Sequence, residues 1–444
     1  MRKRLLATGA ILAASALLLA GCSSGSSSSD GSAAAAVNTN PDGKGQTLTL
    51  WDYEDDTSAM GIAWNAAIKE FETETGATVN FEAKSFEGIR STASQVLNSD
   101  AAPDILEYNK GNATAGLLAS QGLLSNLDDA VAAYGWDKKL APSLQTTAKY
   151  DEKGVMGSGS YYGIPNYGEF VDVYYNKDMF AKYNLAVPTT FDEFQNALAT
   201  FKAAGITPLA ESAAEYPLGQ LFYQLALSSA TRQWVTDYQT YTGTVDFQDK
   251  DFTFAANTIK DWVDKGYISA DSTGMKAEDA GTAFEAGTNP IFYSGSWWYG
   301  RFVKEITNFQ WSSFLFPGST MAPGSSGNLW VVPENSKNKD LAYKFIDITM
   351  SAPIQALIGN NGGIPVAATA SDITDPKSQE LITNFNTLTA RDGLAFYPDW
   401  PTPTFYDQLN AGLQELVNGT KSPADMLTEI GAEYQDGVDT ITKG

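Results

Sequence analysis

The chain has 444 residues and a formal net charge of −23, from 29 basic and 52 acidic side chains. It has no histidine and one cysteine, which excludes disulfides within the chain, cysteine metal sites, the usual zinc sites and nucleophilic sites that use a histidine base. A body this acidic repels nucleic acid and anionic membrane surfaces, so neither is expected as a partner. We expect no metal and no cofactor, and few enzyme classes other than carboxylate-based ones remain.

The first 21 residues have the pattern of a secretory signal peptide. Three basic residues at 2–4 precede an apolar run at 5–19, which is short for a membrane span, and small residues follow it. Cys22 comes directly after Ala20-Gly21, which resembles the lipobox of bacterial lipoproteins, where this thiol is acylated. We therefore expect an extracytoplasmic protein whose lipid on Cys22 anchors it to the outer face of the cell membrane. The alternative is an ordinary signal peptide with an incidental cysteine.

The segment at 22–46 is dominated by Ser, Ala, Gly, Asn and Asp. It has too few large apolar side chains to offset the entropy cost of ordering, so it predicts a flexible tether. The residues that follow exceed one comfortable core, which predicts two domains. Aromatic residues make up 12% of the chain, and their number favours a site that stacks on apolar faces.

In the first part of the body, short apolar strands alternate with amphipathic helices. This pattern predicts βαβ units and a mostly parallel sheet. The predicted strands are 48–51, 77–81 and 103–108, and the predicted helices are 59–75 and 88–97.

The pattern changes after residue 149, where strands become fewer and helices longer. Thr190 and Glu193 have the spacing of a capping box, which predicts a helix that begins there and ends at Gly205. Ser422 and Pro423 predict the start of a final helix. The remaining predicted strands are 170–176, 290–295, 314–317 and 328–333, and the remaining predicted helices are 218–267 and 341–350.

A set of short motifs, in this order and spacing, resembles the sugar-binding lipoproteins of bacterial ABC importers, the relatives of maltose-binding protein. The resemblance covers the chain from residue 47 onward. The motifs are Tyr162-Gly163-Ile164-Pro165, 173–178, 187–194, Gly295-Ser296-Trp297, 329–336, 341–346 and Gly363-Ile364-Pro365-Val366.

The resemblance implies a two-lobed α/β fold of the periplasmic-binding-protein type, in which each lobe is a mostly parallel sheet flanked by helices. The lobes would be hinged by crossings near 156–162, 310–313 and 350–353. The implied N-terminal lobe is 47–158 plus 312–351, and the implied C-terminal lobe is 159–311 plus 352–444. The implied function is capture of a neutral di- or oligosaccharide between the lobes, by a monomer without catalytic residues, for delivery to an ABC permease.

A sugar ring has C–H faces that aromatic planes cover and hydroxyls that carboxylates and amides bind. In open α/β sheets such side chains lie on loops beyond the carboxyl ends of strands. The resemblance implies that Trp297 stacks on sugar and that Glu169, seven residues before Asn176, contacts it; Tyr406 is preferred to Trp400 as a further aromatic. The predicted ligand-binding residues are Tyr53, Glu54, Asp55, Asn109, Lys110, Glu169, Tyr216, Trp297, Trp298, Asn328, Trp330 and Tyr406.

Several of these assignments have a structural alternative. Asp56, Thr57 or Ser58 could cap the helix after the first loop, and for Asp56 we expect this role rather than ligand contact. Asn109 also suits a turn, and Glu169 also suits an exposed loop. Trp297 and Trp298 also suit a core, and adjacent residues on extended backbone point to opposite sides.

Two other functions compete with sugar capture. An anchored glycosidase would use two carboxylates about 5–10 Å apart, such as Glu54 and Glu169. An anchored adhesion or scaffold protein would bind no small ligand. Nothing in the sequence fixes the carboxylate spacing that the enzyme needs.

Overall fold

The computed structural model describes residues 36–368 and 372–443, and the chain from Val37 onward forms one compact unit. The predicted signal peptide, Cys22 and most of the predicted tether lie outside the described residues. Within the two described ranges, no helix combines the length and the apolar character needed to cross a bilayer.

The strands are short except for one of ten residues. They are β1 (Thr47–Asp52), β2 (Thr78–Ala83), β3 (Ile105–Tyr108), β4 (Lys149–Tyr150), β5 (Ser160–Tyr161), β6 (Ile164–Pro165), β7 (Tyr167–Asn176), β8 (Leu209–Ala210), β9 (Ile291–Gly295), β10 (Trp311–Phe314), β11 (Gly324–Ser326), β12 (Leu329–Val331) and β13 (Ile364–Pro365).

The helices contain far more of the described residues than the strands do. They are α1 (Ala59–Thr75), α2 (Phe86–Leu97), α3 (Leu117–Ser120), α4 (Asp128–Tyr134), α5 (Trp136–Lys139), α6 (Pro142–Gln145), α7 (Lys177–Lys182), α8 (Phe191–Ala203), α9 (Tyr216–Leu227), α10 (Arg232–Thr240), α11 (Lys250–Asp264), α12 (Ala277–Glu285), α13 (Tyr299–Glu305), α14 (Lys339–Thr349), α15 (Ala352–Asn360), α16 (Pro376–Ala390), α17 (Phe405–Val417) and α18 (Pro423–Lys443).

Local signals explain where two of the helices begin and end. The Ser58 hydroxyl accepts a hydrogen bond of 2.9 Å from the Gly61 amide, so Ser58 is the one of the three candidates that caps α1, and the expectation of capping by Asp56 is wrong. Gly76 ends this helix with a φ of 73°, a conformation that favours glycine. At α8, Thr190 and Glu193 form the predicted capping box.

The first sheet has the strand order β2-β1-β3-β12-β6. β1 is parallel to β2 and β3, whereas β12 is antiparallel to β3 and β6. Helices α1, α14 and α15 pack together beside this sheet. Trp64 of α1 contacts Trp330 of β12, and Trp330 in turn contacts Phe345 of α14, which places these rings in one core.

The second sheet is built around β7, all ten residues of which are buried. Its main order is β10-β7-β9-β8, and β11 and β13 pair with the first half of β7. The α/β class is confirmed; the two main sheets are mixed, and β4 and β5 form a separate two-stranded antiparallel sheet. The predicted parallel pairing holds for β1 to β3 and for β8 with β9, but every neighbour of β7 runs antiparallel to it.

The described chain passes between the two sheets at three places. It does so at Asn166, between β6 and β7, at 327–328, between β11 and β12, and at 361–363, between α15 and β13. These steps lie later in the chain than the crossings implied by the resemblance, because β10 and β11 still pair with β7 and α15 still packs on α1.

Gln355 ties two of these steps together from α15, and its side chain is fully buried. Its amide nitrogen donates to the carbonyl oxygens of Asn166 at 2.6 Å and of Thr349 at 2.9 Å. Its amide oxygen accepts from the Val366 amide at 2.8 Å. The Gln355 side chain therefore fixes the first and third steps relative to each other.

Part of the predicted tether lies against the body. The Gly43 amide donates to the Thr75 carbonyl at 2.9 Å, and Thr78 donates to the Gln46 carbonyl at 3.0 Å. Val37 packs against the core of the first sheet. Backbone hydrogen bonds and this apolar contact attach residues 37–46 to the body. The prediction of a flexible tether therefore stands only for residues 22–36.

Candidate ligand-binding cavity

A cavity of about 210 Å³ lies where loops of the two sheets meet. Tyr53 and Glu54 reach it from the end of β1, Asn109 and Lys110 from the end of β3, and Trp297 from the end of β9. The cavity therefore occupies the place where open α/β sheets bind ligands. Its lining residues are Tyr53, Glu54, Phe86, Asn109, Lys110, Tyr167, Glu169, Tyr216, Gln220, Trp297, Asn328, Tyr397, Asp399, Trp400 and Tyr406.

The structure brings together nine of the twelve residues predicted to bind ligand and leaves three elsewhere. The nine on the cavity are Tyr53, Glu54, Asn109, Lys110, Glu169, Tyr216, Trp297, Asn328 and Tyr406. The other three are Asp55, Trp298 and Trp330.

Asp55 is exposed and serves the turn before α1. Its carboxylate accepts a hydrogen bond of 2.7 Å from the Thr57 amide and another from the Thr57 hydroxyl. These two bonds lower the pKa of Asp55. The prediction of a ligand contact is replaced by a local turn role.

Trp298 and Trp330 are core residues. Trp298 lies on a short 3₁₀ turn, and its ring packs over Phe302 with centroids 5.6 Å apart and against Gly281 of α12. Trp330 is 1% exposed and faces Trp64, because in β12 its side chain points to the helix side of the sheet.

Lys110 and Glu169 form a buried ion pair in the cavity wall, with side-chain exposures of 3% and 6%. The Lys110 ammonium also donates to the Asn328 amide oxygen at 2.9 Å. It lies 5.3 Å from the ring centre of Tyr397 and 5.5 Å from that of Trp400. The cation is thus neutralised and covered by aromatic rings, which leaves it no spare charge for an anionic ligand.

A group of carboxyls lies behind this pair. The Tyr167 hydroxyl lies 3.2 Å from Glu107 and 3.5 Å from Glu54, and it accepts from the Asn328 amide at 2.8 Å. Burial, reinforced by Asp52, raises the pKa of Glu54 to about 8. Burial also raises the pKa of Asp52 to about 7 and that of Glu107 well above its usual range. A raised pKa favours the protonated form, and a protonated carboxyl can donate a hydrogen bond as well as accept one.

Trp297 forms one aromatic wall. Its indole nitrogen donates to the Tyr216 hydroxyl at 3.2 Å, and the two rings meet edge to face with centroids 5.7 Å apart. A β-carbon at Gly295 would lie 1.9 Å from the Trp297 ring, so only glycine leaves room for it. Gly295 of the Gly-Ser-Trp motif therefore allows the Trp297 indole to fold back over the end of β9.

Trp400 and Tyr397 form a second wall, with ring centroids 5.1 Å apart. Gly111 leaves room for Trp400, because a β-carbon there would lie 2.6 Å from the Trp400 ring. Its φ of 109° also favours glycine. The Asn109-Lys110-Gly111 loop thus supplies the polar side chains of the cavity and the space for its tryptophan.

Sequence reasoning missed six lining residues: Phe86, Tyr167, Gln220, Tyr397, Asp399 and Trp400. The cluster from Phe396 to Trp400 was a usable aromatic signal, although Trp400 was set below Tyr406. Gln220 and Asp399 had no local signal, since they reach the cavity only through long-range packing.

Three polar atoms at the cavity are buried without a hydrogen-bond partner among the described residues. They are the Tyr53 and Tyr397 hydroxyls and the Gln220 amide oxygen. Buried polar groups are nearly always paired in folded proteins, so these atoms can pair with a ligand or water that enters the cavity. Together with the two aromatic walls, they suit a ligand that has both apolar faces and polar edges.

The sequence and the structure are both similar to those of known binding proteins. A family model described as bacterial extracellular solute-binding protein matches residues 55–356. The diacetylchitobiose binding protein DasA of Streptomyces coelicolor is 26% identical over 409 residues, which cover 88% of this chain and 89% of DasA.

Solved structures share the fold. A chitin oligosaccharide binding protein superposes with a TM-score of 0.76 at 22% identity, covering 88% of this chain and 98% of the other. The GacH receptor of Streptomyces glaucescens superposes with a TM-score of 0.71 at 21% identity, with the same coverage. The family model spans more than half of the chain, and the recognition from sequence motifs is confirmed: the chain belongs to the bacterial extracellular solute-binding proteins.

Proposed function

We propose that this solute-binding protein captures a neutral di- or oligosaccharide in the cavity described above and delivers it to an ABC permease. The observation that carries the proposal is the meeting of two aromatic walls with unpartnered polar atoms around one space. Aromatic rings suit the C–H faces of sugars, and buried acceptors and donors suit their hydroxyls. The Lys110–Glu169 pair supports a neutral ligand, since its charges already satisfy each other.

The relatives support a saccharide of more than one ring. DasA is named for a disaccharide, and one of the similar structures is named for chitin oligosaccharides. The cavity offers several separate aromatic surfaces, Trp297, Trp400 and Tyr406 among them, which suits a ligand with several ring faces.

The mechanism we propose is closure of two lobes, each built on one sheet, around the sugar. A ligand that contacts both lobes stabilises the closed form by its differential affinity for that form. The family places the protein outside the cytoplasm. We further propose that the protein acts as a monomer, is secreted by its signal peptide and is held to the membrane by a lipid on Cys22.

We propose that the protein is not an enzyme and that Glu54 and Glu169 bind rather than cleave. Glu169 is committed to Lys110, and Glu54 faces Ser58 and Tyr167. Prolonged incubation with the bound saccharide should return it intact. Release of smaller sugars would instead favour the glycosidase.

Isothermal titration calorimetry with a panel of neutral disaccharides and oligosaccharides tests the proposal. We expect saturable binding of at least one saccharide, with one site per chain, and no binding of the matching sugar acids. A panel without any binding saccharide, or a preference for acidic sugars, would overturn it.

A further inference from the structure

Four side chains join helices α2 and α17 at the edge of the cavity. The Tyr406 hydroxyl donates to the Glu87 carboxylate at 2.7 Å. The Arg90 guanidinium lies 2.9 Å from Glu87 and 3.0 Å from Asp407. The same guanidinium stacks over the Tyr406 ring, 4.3 Å from its centre. Arg90 thus contacts every other member of this cluster.

The cluster connects parts of the molecule that flank different sheets. Helix α2 directly follows β2 of the first sheet, and its Ile89 lies in one apolar cluster with Leu106 of β3. Helix α17 packs against α9 and α18, and α9 packs against β9 of the second sheet. The contacts therefore span more than 300 residues of sequence and link the two halves proposed to close.

Tyr406 couples this link to the ligand site. Its side chain lines the cavity and also a neighbouring cavity of about 200 Å³, so together with Asp399 it lies between the two. The neighbouring cavity is also lined by Arg90, Ser94 and Thr114, and each of these side chains has a hydrogen-bond partner in the protein. Of the four side chains in the cluster, Tyr406 is the one that lines the candidate ligand cavity.

We propose that Arg90 is a positioning residue for ligand capture, an inference that rests on the proposed function. Arg90 fixes the Tyr406 ring against the cavity and bridges the two halves, and both effects hold the closed form. A planar guanidinium suits this task because it pairs with two carboxylates in its plane while its face stacks on an aromatic ring. Loss of Arg90 should therefore speed ligand release rather than slow ligand entry.

The first test is stopped-flow tryptophan fluorescence with diacetylchitobiose as the probe. R90M keeps the apolar stem of the side chain, and we expect it to release the sugar at least tenfold faster than wild type, with an association rate within about twofold. R90K retains the positive charge, so its release rate should lie between those of wild type and R90M. Y406F should raise the release rate only by the contribution of the Tyr406 hydroxyl. The matched control is K344M, which breaks the similarly buried Lys344–Glu74 pair away from the cavity and should leave the kinetics unchanged.

The second test does not depend on the sugar. Small-angle X-ray scattering of the ligand-free protein should give a larger radius of gyration for R90M than for wild type, with K344M unchanged. If wild type fails to bind diacetylchitobiose, that sugar is not the ligand. The role of Arg90 is then decided by the scattering comparison of the ligand-free proteins. An R90M protein with the release rate and the radius of gyration of wild type would overturn the inference.

Discussion

Lys110 and Glu169 contact each other inside the cavity wall, and both side chains are almost fully buried. Lys110 follows β3 of the first sheet and Glu169 lies in β7 of the second, so the pair joins the two sheets at the candidate cavity. Removing one partner of a buried pair is costly, because the other charge is then left without compensation.

We therefore predict that K110M lowers the free energy of unfolding by about 3–5 kcal/mol, the range for breaking buried pairs. Urea denaturation at neutral pH measures this change. K339M breaks the more exposed Lys339–Glu334 pair and should cost less than about 1 kcal/mol. Equal changes in the free energy of unfolding would show that the Lys110–Glu169 pair stabilises the fold no more than an exposed pair does.

The shape of the Trp297 wall depends on Gly295. A methyl group there would displace the indole, so G295A should weaken saccharide binding at least tenfold, as W297A should. Calorimetric titration gives the affinities. G274A is the matched control, since a β-carbon at Gly274 meets no atom within 4 Å and should change nothing. Unaltered affinity in both G295A and W297A would remove this wall from the site.

The buried carboxyls predict a pH dependence of stability. Folding raises the pKa of Glu54 from 4.5 to about 8, so the folded state binds more protons than the unfolded state between these values. The free energy of unfolding should fall as pH rises through that window. In E54Q, which mimics the protonated form, the fall should be shallower.

Urea titrations of wild type and E54Q between pH 5 and pH 8 measure the difference. D55N serves as the control, because the pKa of Asp55 is lowered and its neutralisation should not flatten the fall. Parallel wild-type and E54Q curves would show that Glu54 carries no proton in the folded protein.

The hydrogen bonds of Gln355 should stabilise the fold where the chain passes between the two sheets. Q355A leaves the Asn166 carbonyl and the Val366 amide without this partner in a buried setting, so we expect a loss of about 1–3 kcal/mol or more. Thermal unfolding measures it. Q435A, which removes an exposed bond to Asp439, should stay near wild type; a comparable loss there would mean that burial is not the cause.

Much of the lining of the candidate cavity was predictable because these residues follow strands. Tyr53, Lys110 and Trp297 come directly after apolar runs, and the carboxyl ends of strands gather such residues. Trp298 and Trp330 were misassigned because an aromatic next to a site residue or within a strand has two possible faces, and only packing decides between them.

The remaining errors concern long-range pairing. The antiparallel neighbours of β7 come from four distant segments, and no local pattern states the direction in which they return. Asp399 and Gln220 reach the cavity by the same kind of long-range approach, so their roles were invisible in the sequence.

A crystal structure of the protein grown with the saccharide that calorimetry selects tests the central claim most directly. We predict a sugar ring against Trp297, with hydroxyls on the Tyr53 hydroxyl and the Gln220 amide oxygen, and with the Arg90–Tyr406 contact intact. Sugar bound elsewhere on the surface, with this cavity holding only water, would contradict the account.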